Sequence, residues 1–252
     1  MNANLPTLRL FTDQPLMQGT TIQLVGEAAH YLANVMRRRI GDKIELFNGL
    51  DNSFIADIIE VNKKRVTAML ISVARQRVLP PDIWLLFAPI KRTRLDFMAQ
   101  KATELGARQI APVDTDFCQV KRVKTDRLRA NAIEAAEQTG RLDIPEIGAF
   151  ESLEERLKNW PEDRIILFCD ETLASADEKP DILANLKNIK GRKAALLIGP
   201  EGGFSENERT RILRCPEVIQ MSLGPRILRS DTAALAALSL YQAVCGDWHH
   251  SN

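Results

Sequence analysis

Two short runs, RIILFCD (164–170) and KAALLIG (193–199), are apolar at nearly every position. A strand without polar alternation has to be covered on both faces, the usual situation of a parallel sheet held between helices. The neighbouring segments keep that rhythm. DIWLLFAPI (82–90), RQIAPV (108–113) and PEVIQMSL (216–223) read as further strands. A helical stripe at Leu95, Met98, Ala102 and Leu105 is closed by Gly106, and TDRLRANAIEAAEQTG (125–140) is closed by Gly140. Such alternation predicts a mostly parallel α/β sheet. The last helix, SDTAALAALSLYQAVCG (230–246), is apolar on nearly every side, which one sheet cannot cover. Either a second subunit covers it or it sits centrally within one domain.

The first 73 residues follow another pattern. LRLFT, TTIQLV, KIELFN, SFIADIIEV and RVTAMLISV are short alternating or β-branched runs, and EAAHYLANVMRRR (27–39) has helical spacing before Gly41. Five strands around one helix predict a small β-barrel over 1–73. ARQRVLPP (74–81) reads as a linker, because Pro80-Pro81 continues neither a strand nor a helix. The α/β domain then occupies 82–252. No apolar run approaches the length of a membrane span and the N-terminus carries no signal pattern. The four cysteines are scattered singly, with no metal-binding spacing, which fits reduced thiols in a cytoplasm. Net charge is +1, yet residues 61–130 hold 15 Lys and Arg against 6 Asp and Glu. That excess predicts either a surface facing a polyanion or simply solvated helices.

At the end of the second apolar run the chain reads IGPEGGFSENE (198–208). The glycines match neither G-x-x-x-x-G-K-[ST] nor G-x-G-x-x-G, so neither standard phosphate cradle is present. Ser205 and Glu208 have capping-box spacing and predict a helix start. SLGPRILRSD (222–231) repeats the arrangement of strand, glycine turn and helix opened by Ser230 or Asp231. Ligands of open α/β sheets bind outside the carboxyl ends of strands, so two such loops predict one pocket wall.

These loops, IGPEGGFSENE with MSLGPRILRSDTAALAAL, resemble the signature of SPOUT-class RNA methyltransferases. More closely they resemble the ribosomal RNA small subunit methyltransferase E family, which methylates N3 of a uridine in 16S rRNA. Arg9-Leu-Phe11, His30-Tyr-Leu32 with Met36-Arg37, Lys101-Ala-Thr-Glu104-Leu-Gly106 and Glu137-Gln-Thr-Gly-Arg141 extend the resemblance over almost the whole chain. It implies a PUA-like N-terminal barrel, a C-terminal domain with a deep trefoil knot, a homodimer, and 16S rRNA or the small ribosomal subunit as partner, with no metal. It also implies S-adenosylmethionine held by Leu197, Ile198, Gly199, Glu201, Gly202, Gly203, Met221, Ser222, Leu223, Gly224, Ile227, Leu228 and Thr232. The glycines are expected to clear space for that ligand.

A uridine N3 is protonated at neutral pH, so methylation there needs a proton acceptor or a cation that stabilises the imide anion. Glu201 and Arg229 are the candidates. Their plainer readings are a carboxylate bonding loop N–H groups and an ion pair with Asp231 or Glu201. Where this chain has Asp231 the family commonly has Glu. For RNA, Arg9, His30, Arg37, Arg38, Lys91, Arg92, Lys101 and Arg141 are the expected contacts. Alternatives from other classes are an assembly protein on the same fold without activity, or an enzyme of another RNA.

Overall fold

The computed structural model describes residues 5–90, 92–175 and 180–248. The chain divides into two units, Met1–Leu79 with Ala136–Ile144, and Pro80–Ala135 with Pro145–Asn252.

In the first unit, β1 (Arg9–Phe11), β2 (Thr21–Val25), β3 (Lys43–Phe47), β4 (Ser53–Asn62) and β5 (Arg65–Arg75) form one sheet in the order β1-β3-β4-β5-β2. β1 runs parallel to β3 and the other pairs are antiparallel. β1 and β2 are the two ends of this ladder, yet Leu10 from one and Ile22 and Leu24 from the other pack in a single core around Leu32. The alternation read from sequence is visible in β2, whose residues are alternately exposed and buried.

The helix expected over 27–39 is shorter. Helix α1 (Gly26–His30) passes into one wide π turn at Tyr31–Val35, where the Met36 N–H donates to the Tyr31 carbonyl at 2.8 Å. Arg37 then adopts φ 51, the left-handed region, which stops the helix four residues before Gly41. Insertions of this kind concentrate at functional segments.

The second unit is a parallel sheet. It contains β6 (Ile83–Phe87), β7 (Gln109–Asp114), β8 (Glu146–Ile147), β9 (Glu151–Ser152), β10 (Arg164–Cys169), β11 (Lys193–Ile198) and β12 (Val218–Met221). The order is β12-β10-β11-β6-β7-β8, with β9 on the end of β7, and every pair is parallel. All six residues of β10 are buried, as its unbroken apolar run requires. On one face lie α2 (Arg92–Glu104), the start of α3 (Thr125–Thr139), α5 (Ile182–Asn188) and α7 (Ser230–Val244), sharing a core with Met98, Leu128, Leu186 and Leu238. On the other, Leu153 of α4 (Leu153–Lys158) and Ile212 of α6 (Glu206–Leu213) pack with Phe168 and Leu197. From the edge strand β12 the chain returns inward, so that α7 packs on β11, β6, α2 and α5. Ala234, Ala237, Leu238 and Tyr241 of α7 are buried, while Leu235, Ala236, Leu240 and Val244 are half-buried.

Buried charge closes the amino-terminal edge of this sheet. Arg164 donates to the Ala194 carbonyl at 2.9 Å and to an Asp82 carboxylate oxygen at 2.9 Å, and its guanidinium lies 3.5 Å from the centre of the Trp84 ring. No described helix is long and apolar enough to cross a membrane.

Candidate cofactor and RNA site

At the opposite edge, the carboxyl ends of β10, β11 and β12 enclose a cavity of about 580 Å³, counting its open mouth. Three chain segments line it: Cys169 to Ala174, Ile198 to Glu201, and Met221 to Ala233. Parallel strands direct their ends and following loops to one side, so residues distant in sequence meet there. The two glycine loops are tied together directly. Ser230, buried at the start of α7, donates its hydroxyl to the Gly199 carbonyl at 2.6 Å. Arg229 is the N-cap residue, and α7 carries no side-chain cap, because a guanidinium has no acceptor to offer the first N–H groups; the Ser230 hydroxyl is used in the loop contact. The capping box on α6 is present in both directions, and Glu208 also accepts from the Asp116 N–H at 2.9 Å.

Two acids at the end of β10 shape the cavity. Asp170 accepts from the Thr172 hydroxyl at 2.7 Å, Gln220 at 2.9 Å and Arg209 at 2.9 Å. Burial pushes its carboxyl up, but bonds from Thr172, Arg209 and Gln220 outweigh that and hold it below the ordinary carboxylate range. Glu171 accepts from the Phe204 N–H at 3.2 Å. Burial pushes the Cys169 thiol up to about 12, so it is a neutral apolar wall and no nucleophile at neutral pH.

The glycines of the first loop serve its own packing, which differs from the expectation that they clear space for a ligand. A Cβ on Gly199 would meet the Phe204 ring at 2.8 Å, and Phe204 stacks edge-on against Phe168 at 5.3 Å. A Cβ on Gly202 would meet Phe117 at 3.3 Å, and on Gly203, at φ +72, the Glu171 carboxylate at 2.0 Å. Gly224 has open space around it, and φ +99 is its reason for being glycine.

Of the residues named from sequence, Ile198, Gly199, Glu201, Met221, Leu223, Gly224, Ile227 and Leu228 line the cavity. Leu197 faces the opposite core, Ser222 and Gly203 are buried beside the cavity, and Gly202 and Thr232 are exposed outside its lining. Glu201 is exposed at the cavity and its side chain makes no hydrogen bond or ion pair among the described residues, so the backbone-bonding reading does not hold. Arg229 is exposed, lies outside the lining, and its side chain has no such partner either. Asp231 instead faces Arg94 at 3.8 Å. The lining also includes Asp170, Glu171, Pro200 and Arg226, which sequence reasoning missed. Asp170 ends an apolar strand, and that position was the available signal.

Comparison with known proteins fits these contacts. A family described as RNA methyltransferase domain matches residues 77–242, and one described as RNA methyltransferase PUA domain matches 24–71. The ribosomal RNA small subunit methyltransferase E of Rickettsia conorii is 30% identical over 92% of this chain and 93% of its own length. The chain belongs to the ribosomal RNA small subunit methyltransferase E family. The Bacillus subtilis relative of the same name is 30% identical over 90% of this chain and 92% of its own. A solved structure of the Neisseria gonorrhoeae enzyme of that name, bound to S-adenosylmethionine, superposes with a TM-score of 0.84 at 29% identity. It covers 96% of this chain and 99% of its own.

For a member of this family the expected RNA contacts divide sharply. His30 and Arg37 are exposed on the PUA unit, and Arg38 is half-buried. Arg9 is withdrawn from solvent, which corrects its assignment to RNA. It pairs with the fully buried Glu45 at 3.2 Å and donates to the carbonyls of Ala136 at 2.8 Å and Arg141 at 3.1 Å. Burial lowers its pKa, and the adjacent Glu45 opposes that shift. Arg141 is likewise engaged, bound through two nitrogens to Asp143 with 10% of its side chain exposed. Asp143, two residues further on, was not anticipated as its partner. Lys101 bonds Glu104 at 2.7 Å and sits over the Phe97 ring. Lys91 lies outside the described residues, as do His249 and His250, and Arg92 is described only as the first residue of α2.

Proposed function

We propose that this chain transfers a methyl group from S-adenosylmethionine to N3 of a uridine in 16S ribosomal RNA of the small subunit. The observation that carries the reading is the cavity in which two glycine loops, tied by Ser230, meet the acidic end of β10. The lining fits the donor: Ile198, Met221, Leu223 and Leu228 offer apolar walls, and strand-end carbonyls and N–H groups can read an adenine edge. When bound, S-adenosylmethionine supplies a methyl group on a sulfonium. The carboxylate of Glu171 favours a cationic ligand over its neutral product, whereas Asp170 is already paired with Arg209. Positioning of the acceptor nitrogen supplies much of the rate gain. Glu201, at the cavity with no side-chain partner among the described residues, takes the N3 proton, and Arg226, which lines the cavity where Arg229 does not, stabilises charge on the uracil oxygens.

The remaining parts of the reading follow from the family. Residues 1–73 form the RNA-binding unit, with His30 and Arg37 as its contacts, and 74–81 link it to the methyltransferase domain at 82–252. The return of the chain from β12 to lay α7 on β11 and α5 supports a deep trefoil knot. The half-buried apolar face of α7 supports a homodimer. The protein works in the cytoplasm, where ribosomal RNA is made available.

Methylation at N3 removes the imino donor used in base pairing, so reverse transcription halts there. Small subunits from cells lacking the protein, incubated with it and S-adenosylmethionine, should gain one such stop at a uridine of 16S rRNA. Methyl incorporation into transfer RNA alone, or none with the donor bound, would overturn the reading in favour of another substrate or a non-catalytic assembly role.

A further inference from the structure

We propose that a second cavity of the methyltransferase unit holds a nucleotide of the single-stranded RNA substrate, flanking the base that is modified. The inference rests on the function proposed above. The cavity lies beyond the carboxyl ends of β6 and β7 and measures about 620 Å³, counting its open mouth. Buried Ile90, Leu95 and Leu128, with half-buried Val120, form an apolar floor, and Asp96, Arg122, Lys124 and Arg127 complete the lining.

The charges around it do not cancel. Arg127 binds Asp96 through two nitrogens, one at 2.7 Å, and Asn131 donates to the same carboxylate at 2.9 Å. Lys121, between the lining residues Val120 and Arg122 in sequence, pairs with Asp114 at 3.2 Å. Arg122 and Lys124 are exposed, and their side chains have no hydrogen-bond or ion-pair partner among the described residues. Two uncompensated cations beside a greasy floor suit a ligand with a flat apolar body flanked by two phosphates, one on its 5′ and one on its 3′ side. A nucleotide within a strand has both, and bases are available in this way only from unpaired RNA.

The placement links this cavity to the first. The loop that supplies Val120 also packs Phe117 against Gly202 of the cofactor loop, and its Asp116 N–H donates to Glu208 of the capping box. The loop at the second cavity therefore touches the glycine loop that lines the first. A strand threading past that contact places one nucleotide at each.

The test is fluorescence anisotropy with a labelled single-stranded fragment of 16S rRNA, repeated across salt concentrations. R122A/K124A should weaken binding about tenfold at moderate salt and lower the slope of log affinity against log salt by about 1.4, roughly 0.7 for each phosphate no longer neutralised. Val120→Ser should weaken binding several-fold with the slope unchanged, since it removes only apolar surface from the floor. Affinity for S-adenosylmethionine, measured by calorimetry, should stay at the wild-type value in both. The control K187A/K190A removes two exposed lysines of the same unit and should change neither quantity. Wild-type affinity and slope in R122A/K124A, or an equal decrease in the control, would overturn the proposal. If the wild-type protein methylates 16S rRNA while R122A/K124A is unaltered in affinity and KM, only this site is refuted. If wild-type protein binds the donor and methylates no 16S rRNA, the function proposed above is refuted instead.

Discussion

Replacing Gly203 by alanine tests how the first glycine loop holds its shape. The residue sits at φ +72, where an L side chain costs about 1 kcal/mol. Its new Cβ would stand 2.0 Å from the Glu171 carboxylate oxygen that now accepts the Phe204 N–H. The clash is with the end of a flexible side chain, so Glu171 swings away and that hydrogen bond breaks, at about 1 kcal/mol. The expected total is about 2 kcal/mol. Glu171→Ala alone removes the bond and should cost about 1 kcal/mol by the same rule. In that background Gly203→Ala meets no carboxylate and should cost only the backbone part, again about 1 kcal/mol. The double-mutant cycle therefore predicts a coupling of about 1 kcal/mol. Urea unfolding followed by tryptophan fluorescence is the natural assay, because Trp84, Trp160 and Trp248 all lie in the same unit as the loop. Equal costs for Gly203→Ala in both backgrounds would show that Glu171 is not what constrains Gly203, and the account of the loop would fail.

Three further outcomes are expected. Ser230→Ala should lower affinity for S-adenosylmethionine about tenfold in calorimetry, since it unties the two loops and leaves the Gly199 carbonyl without its donor. Asp170 has a folded-state pKa below its unfolded value of about 3.9, so its contribution to stability is present above that pH and is lost as pH falls through the lower value. Asp170→Asn should therefore lower stability at pH 7 and flatten its decline below about pH 4 in acid titrations. Burial raises the thiol pKa of Cys118, Cys169, Cys215 and Cys245, so a thiol reagent at pH 8 should label the folded protein slowly. Cys215 should react first, as the only half-buried member of the four. Rapid labelling of Cys169 would contradict the buried end of β10.

What could be read from sequence was whatever depends on neighbours within a few residues. The unbroken apolar runs of β10 and β11, the stops at Gly106 and Gly140, and the Ser205–Glu208 box are local patterns, and the structure has all of them. The π turn at Tyr31–Val35 has no such local mark, and the expected helix ran past it. Spatial order was harder. β10 lies between β11 and β12, and nothing in the spacing of RIILFCD announces that Asp170 and Glu171 will end beside both glycine loops. Basic residues show the same limit most clearly. Arg9 and Arg122 are the same residue type, yet Arg9 meets a buried Glu45 while Arg122 has no carboxylate partner among the described residues. A cation's role is set by whether the fold brings it an acid from far away. Glu45 is far from Arg9 in sequence, and only the β1–β3 pairing, which sets Arg9 opposite Glu45, brings them together. Where no distant acid arrives among the described residues, as at Arg122 and Lys124, the charge remains to be met from outside, and a phosphate is the group that the basic stretch 61–130 is suited to meet.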